Sequence, residues 1–271
     1  MTTTAANRFL SFTRAELKPT KFSNLLAVEF RKLFSTQSMQ VLFGVSIATI
    51  LLVATATTVW HETLFGPAED QPFWQPWVMV AFLIRLAAQF LIPAFVVLFV
   101  TSEWTTRSVM TTFTLAPKRG QVIGAKAVVV LALGVATWVL VAGSAVLSTY
   151  IGRTMNNAPL DDMWIGPWKT LGDLASWLLL LACAFGLGLL LQNGALAVAV
   201  VLVGPMVVQI LQQFGETMRE LFVWVDLQGM SQMVLMGGDK SHVPQLLVAT
   251  FVWCVLPLAL GIWRTMKREA A

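Results

Sequence analysis

Residues 77–100 read WVMVAFLIRLAAQFLIPAFVVLFV, twenty-four positions in which Arg85 is the one charge and Gln89 the one amide. As a helix rising 1.5 Å per residue the run extends ~36 Å, more than the ~30 Å hydrocarbon core of a bilayer. A soluble protein could bury one such helix, so the rest of the chain has to decide. Of its 271 residues, 57% are hydrophobic and 12% charged, with a mean hydropathy of +0.74. Soluble domains carry roughly 25% charged residues. A chain this long still needs a polar surface in water, and this one lacks the side chains to make it. Lipid must cover much of it.

Comparable runs lie on either side, at 39–60, 122–149, 173–191, 195–213 and 244–263. Each is close to the ~20 residues that cross a bilayer as a helix. Backbone groups in hydrocarbon must pair internally, which these lengths permit only as helices; the alternating strands of a membrane barrel are absent. The expected fold is therefore all-α, a polytopic membrane protein with six transmembrane helices over 39–263. A segment 1–38 precedes them and a tail 264–271 follows. The first 38 residues lack the ~7–15-residue apolar centre of a cleavable signal peptide. Cys183 and Cys254 both fall inside spans and read as small core residues rather than a disulfide or metal framework.

Lys and Arg set the orientation. With both termini cytoplasmic, thirteen of the eighteen basic residues lie inside, among them Arg31, Lys32, Arg107, Arg119, Lys126 and Arg264. Four lie outside, at Arg153, Lys169, Arg219 and Lys240, and Arg85 is within a span. Trp60, Trp74, Trp77, Trp164, Trp168, Trp177 and Trp224 then fall near the outer boundary, with Trp104 and Trp263 at the inner one. Indoles favour that headgroup level, where the ring is half buried and its N–H is wet.

The stretch SEWTTRSVMTTFTLAPKRGQVIGAKA, from Ser102, is thereby the first cytoplasmic loop. Read as a helix, Glu103 to Leu115 sets Arg107 one turn after Glu103, a favourable i,i+4 pair. Pro117 stops the helix and Gly120 lets the chain turn into the next span. Thr105, Ser108, Thr111 and Thr112 give the helix a small, neutral polar surface suited to docking in a protein groove. A solvated loop obeying the inside-positive bias is the alternative.

The order E-W-T-T-R-S, then L-A-P-K-R and a lysine at 126, resembles the cytoplasmic loop of the ABC type-2 transporter permeases. V-E-F-R-K-L-F-S-T at 28–36 resembles the helix that precedes their first span. Ser108 and Val109 stand where the family often has Gly-Thr. The resemblance implies that 103–117 is a coupling helix receiving motion from a separate ATPase. Glu103, Arg107, Thr111, Pro117 and Arg119 would serve it, together with Glu29, Arg31 and Lys32. It further implies two copies of an ABC ATPase, which bind the ATP and Mg, and a second permease chain, identical or paralogous. Short external helices between spans five and six also follow the family's pattern.

Residues 22–34 support an interfacial helix independently, with Phe22, Leu25, Leu26, Phe30 and Leu33 on one side. Glu29 falls on that apolar side, where a carboxylate is costly unless paired. Either Lys32 satisfies it at the rim, or it reaches a basic group of the 103–119 loop, Arg107 above all. Arg85, deep in span two, either snorkels outward, pairs with a re-entrant acid such as Glu216 or Glu220, or faces a substrate cavity beside Gln89.

No nucleotide-binding loop is present; GGDKS at 237–241 only imitates one, with Asp239 between glycine and lysine. The span interiors show no ion-coupling carboxylate, Asp173 sitting at a boundary. No nucleophile–base or metal constellation appears in the spans, so no enzyme is expected. The expected function is the permease subunit of an ATP-driven exporter in a bacterial plasma membrane, moving an antibiotic, peptide or lipid-like amphiphile. The lipid bilayer is its other partner, with no cofactor of its own and no nucleic acid. The rival is a non-transporting membrane sensor or immunity protein whose loop binds something else.

Overall fold

The computed structural model describes residues 21–60, 63, 76–105, 119–155 and 166–267. Every regular element among them is helical, and six helices are long and apolar enough to cross a membrane. The chain is thus all-α and of multi-pass membrane type. Helix α1 spans Phe22–Lys32, α2 Gln37–Val59, α3 Pro76–Thr105, α4 Arg119–Met155, α5 Pro167–Leu191 and α6 Gly194–Leu211. Short helices α7 (Glu216–Phe222) and α8 (Leu227–Ser231) follow, and α9 (Val243–Thr250) and α10 (Leu256–Lys267) form the last span.

Local chemistry sets the ends. Thr36 caps α2 by accepting the Met39 N–H, and Asn193 caps α6 by accepting that of Leu196. Pro167 opens α5, where the missing N–H costs nothing. Gln192, left-handed at φ 54°, ends α5 and leaves only Gln192 and Asn193 before α6 begins. That connection forces α5 and α6 antiparallel. The consequence runs through the bundle: α2, α4 and α6 begin at one end, the basal end, where α3, α5 and α10 finish.

Several helices run past the apolar stretches that announced them. Helix α3 continues past Val100 to Thr105, carrying Glu103 in its last turn. Helix α4, at 37 residues, is ~55 Å long and outreaches a hydrocarbon core at its ends. The last span is broken rather than simply kinked. A π-helical turn over Phe251–Val255 lies just ahead of Pro257. A proline ring clashes with the carbonyl four residues earlier, here that of Trp253, and widening the turn relieves the clash. Trp253 uses the break: its ring packs at Gly204 and its N–H donates to the Val225 carbonyl at 2.8 Å. Pro93 and Pro205 sit inside helices that continue through them.

Helix α5 runs through the middle, packed on α3, α4, α6 and α10. Trp177, Phe95, Phe99, Ile50, Ile84 and Ile92 are fully enclosed. Trp177 is 1% exposed, its N–H donating to Thr137 Oγ1 at 3.2 Å. Trp60, Trp168 and Trp224 are exposed at the distal end and Trp263 at the basal end. Cys183 and Cys254 are free and buried.

Close approach between α5 and α10 depends on glycine. A Cβ on Gly261 would lie 2.8 Å from Leu189 Cβ and 2.9 Å from the Leu190 nitrogen. The small pairs Gly44–Ala48 and Ala195–Ala199 are exposed, and a Cβ on Gly44 would meet nothing within 4 Å. Gly261→Ala is therefore expected to overpack the α5–α10 seam and destabilise by ~1–3 kcal/mol. Gly44→Ala, in open space, should hold or gain stability; thermal midpoints of the two purified variants check this.

Between α6 and α9 the chain folds back onto the distal end. Asp226 caps α8 through the Gly229 N–H at 2.9 Å and accepts Gln212 Nε2 at 3.1 Å. The π-helical turn Gln232–Met236 then lies so close to α5 that Gly172 has no room for a Cβ beneath the Leu235 carbonyl. Asp239 caps the turn Lys240–His242. Hydrogen bonds from Ser241, and then the His242 contact, hold its carboxyl down to about 2. Ser241 Oγ and Asp239 both meet the same nitrogen, Nδ1 of His242, so the three form a capped turn and not a relay to a nucleophile.

Candidate functional site

Four charged side chains meet at the basal end. On α1, Glu29 and Lys32 share a face with Leu26 and Leu33, the side turned to the bundle, while Phe22 and Phe30 are 44% and 57% exposed. Glu103 comes from the last turn of α3 and Lys126 from the second turn of α4. Lys32 Nζ lies 2.6 Å from Glu29 Oε1 and 2.7 Å from Glu103 Oε1. Lys126 Nζ lies 3.1 Å from Glu29 Oε2 and 3.1 Å from Glu103 Oε1. Its ammonium also sits 4.6 Å from the centre of the Phe99 ring, one turn before Glu103.

The four charges sum to zero, alternate in space and are largely closed to solvent. Glu29 is 2% exposed, Lys126 4% and Glu103 8%, with Lys32 closest to the surface. Taking each ion out of water costs several kcal/mol, which the mutual attraction offsets only while all four are present. Burial works against the Lys32 ammonium, but hydrogen bonds to Glu103 and Glu29 outweigh it and raise its pKa above the ordinary lysine value. That contribution is whole below ~10.4 and fades only as pH rises through the higher folded value.

The residues expected to couple to a partner divide into three groups. Glu29, Lys32 and Glu103 are brought together. Arg31 is on the exposed side of α1, outside the cluster, and Arg119 begins α4. Arg107, Thr111 and Pro117 lie outside the described residues, as does most of the expected 103–117 helix. Glu103 itself belongs to α3, which runs unbroken to Thr105. Glu29 has Lys32 and Lys126 as its partners among the described residues. Lys126 is the member that sequence reading passed over as a site residue. Its signal was visible in VIGAKAVVV, a cation at the mouth of an apolar run, which needs a counter-ion.

A second cluster lies deeper, toward the distal end. Arg85 on α3 pairs through Nη1 with Asp173 Oδ1 on α5. Trp138 Nε1 of α4 donates to Asp173 Oδ2 at 2.7 Å, and the Arg85 guanidinium lies 5.7 Å from the Trp177 ring centre. Asp173 thus takes the place that sequence reading offered to Glu216 or Glu220. Those acids are on α7, and Glu216 contacts Arg219 instead. The missed clue was depth: α3 and α5 start at the same end, and both charges lie about two turns in.

Beside that pair is a cleft of about 250 Å³ between α3, α5, α6 and the distal helices. Gln89 lines it and Arg85 does not. The expected pairing of these two residues on one substrate path is therefore divided: Gln89 faces the space, while the guanidinium is engaged by α5. No protein-family model, curated protein or solved structure matches the chain.

Proposed function

We propose that this chain is the permease subunit of an ATP-driven exporter of the ABC type-2 class, in a bacterial plasma membrane with both termini cytoplasmic. The observation that carries the reading is the basal ion cluster. Glu103 and Lys126 stand on either side of the connection between α3 and α4, the segment whose sequence resembles the family's coupling helix. Glu29 and Lys32 tie α1, with its family-like E-F-R-K-L sequence, to both. Force applied to that connection by a partner would reach α1, α3 and α4 together, because separating any one of them exposes an unpaired buried charge.

On this reading two ATPase subunits bind the ATP and Mg and supply the energy, and a second permease chain completes the translocation path. This chain's own part is mechanical: the neutral cluster holds the basal ends as one unit while the bundle changes shape around it. Amphiphilic cargo suits the membrane-embedded cleft.

Affinity purification from the native membrane in mild detergent is expected to recover an ATP-hydrolysing subunit. Glu103→Gln should lower the stimulation of its turnover several-fold while leaving the chain in the membrane. Recovery of the chain with no ATPase, or with another class of partner, overturns the reading and favours a sensor.

A further inference from the structure

Four glutamines converge on the distal cleft from four different elements. Gln89 comes from α3, Gln209 from the end of α6, Gln228 from α8 and Gln232 from the π-helical turn that follows it. None of the four side-chain amides hydrogen-bonds to another described residue. Gln89 lies thirteen residues into α3, ~20 Å along a membrane-crossing helix, where an unpaired amide is costly. The remaining walls are apolar, and Phe82, Leu86 and Met206, at 50%, 39% and 46% exposure, form an open rim. Among the described residues no ionisable side chain lines the cleft, since the nearby guanidinium is committed to Asp173.

We propose that this cleft is a binding site for a neutral amphiphile, one with a hydroxyl, ester or amide head and an acyl chain, entering from the bilayer. Each amide offers donors and an acceptor, so the set satisfies a head that both gives and receives hydrogen bonds. An anionic head would be desolvated there with no cation to meet it. The cleft has room for a glycerol-sized head, while the tail leaves over the apolar rim. Binding of this kind does not need the ATPase of the proposed function, and it is read without one, so the two can fail separately.

The test uses the purified full chain in nanodiscs and a monoacylglycerol carrying a photoreactive diazirine in its chain. The same chain as a free fatty acid, ionised at neutral pH, is the comparison. Saturable labelling of the α3 and α6 walls is expected, at least fivefold stronger for the glycerol head. Gln89→Leu and Gln228→Leu should each weaken labelling about fivefold, the factor that one lost hydrogen bond of ~1 kcal/mol corresponds to. Phe82→Trp, which crowds the open rim where the tail leaves and keeps every amide intact, should weaken it even if the glutamine variants do not fold. Equal labelling by both probes, preference for the fatty acid, labels elsewhere on the chain, or labelling undiminished by Phe82→Trp overturns the proposal.

Discussion

Replacing Lys126 by methionine is expected to destabilise the protein by about 3–5 kcal/mol, the range for removing one partner of a buried ion pair. Glu29 and Glu103 would then share the single ammonium of Lys32, leaving one net negative charge behind α1. In a chain of this size such a loss lowers the thermal midpoint by ~10 °C, measurable on purified protein in detergent. The discriminating result is the rescue. Lys126→Met combined with Glu29→Gln leaves Lys32 facing Glu103, again neutral, and should recover most of the loss. A double variant as unstable as the single one would mean that the contact of the Lys126 ammonium with the Phe99 ring, and not its pairing with Glu29, holds the site.

The second large effect is expected at the deeper pair. Arg85→Met would leave Asp173 with only the Trp138 N–H, and Asp173→Asn would leave the guanidinium beside Trp177 without a counter-ion. Each is expected to lose ~3–5 kcal/mol, whereas Arg85→Met with Asp173→Asn should lose far less than the sum. A double-mutant cycle on thermal or chemical unfolding reads this coupling, and additive losses would show that the two charges act independently. The same double variant should keep the neutral-over-anionic preference of the cleft, because Arg85 does not line it.

The two clusters also show why the sequence was an uneven guide. Spans are legible because hydropathy is a sum over ~20 neighbours, and no single contact has to be known to compute it. Glu29 was legible as an anomaly for a similar reason: helical periodicity alone sets it among Leu26 and Leu33. Its partners were not, because Lys126 is 97 positions away in the chain and meets it only when α1 lies across the start of α4. Asp173 looked like a boundary residue because α5 was expected to start there. Pro167 starts the helix six residues earlier and carries the carboxylate into the bundle.

Composition, apolar run length and residue periodicity are properties of one segment at a time, and from them came the helical class, the six membrane-crossing helices and the inward-turned α1. Which charges neutralise one another, which glycines permit contact and which glutamines share a cleft depend on how helices pair across the bundle. Those pairings are chosen by packing between segments far apart in the chain. Gly44 and Gly261 look alike in the sequence, yet one faces open space and the other a backbone 2.9 Å away.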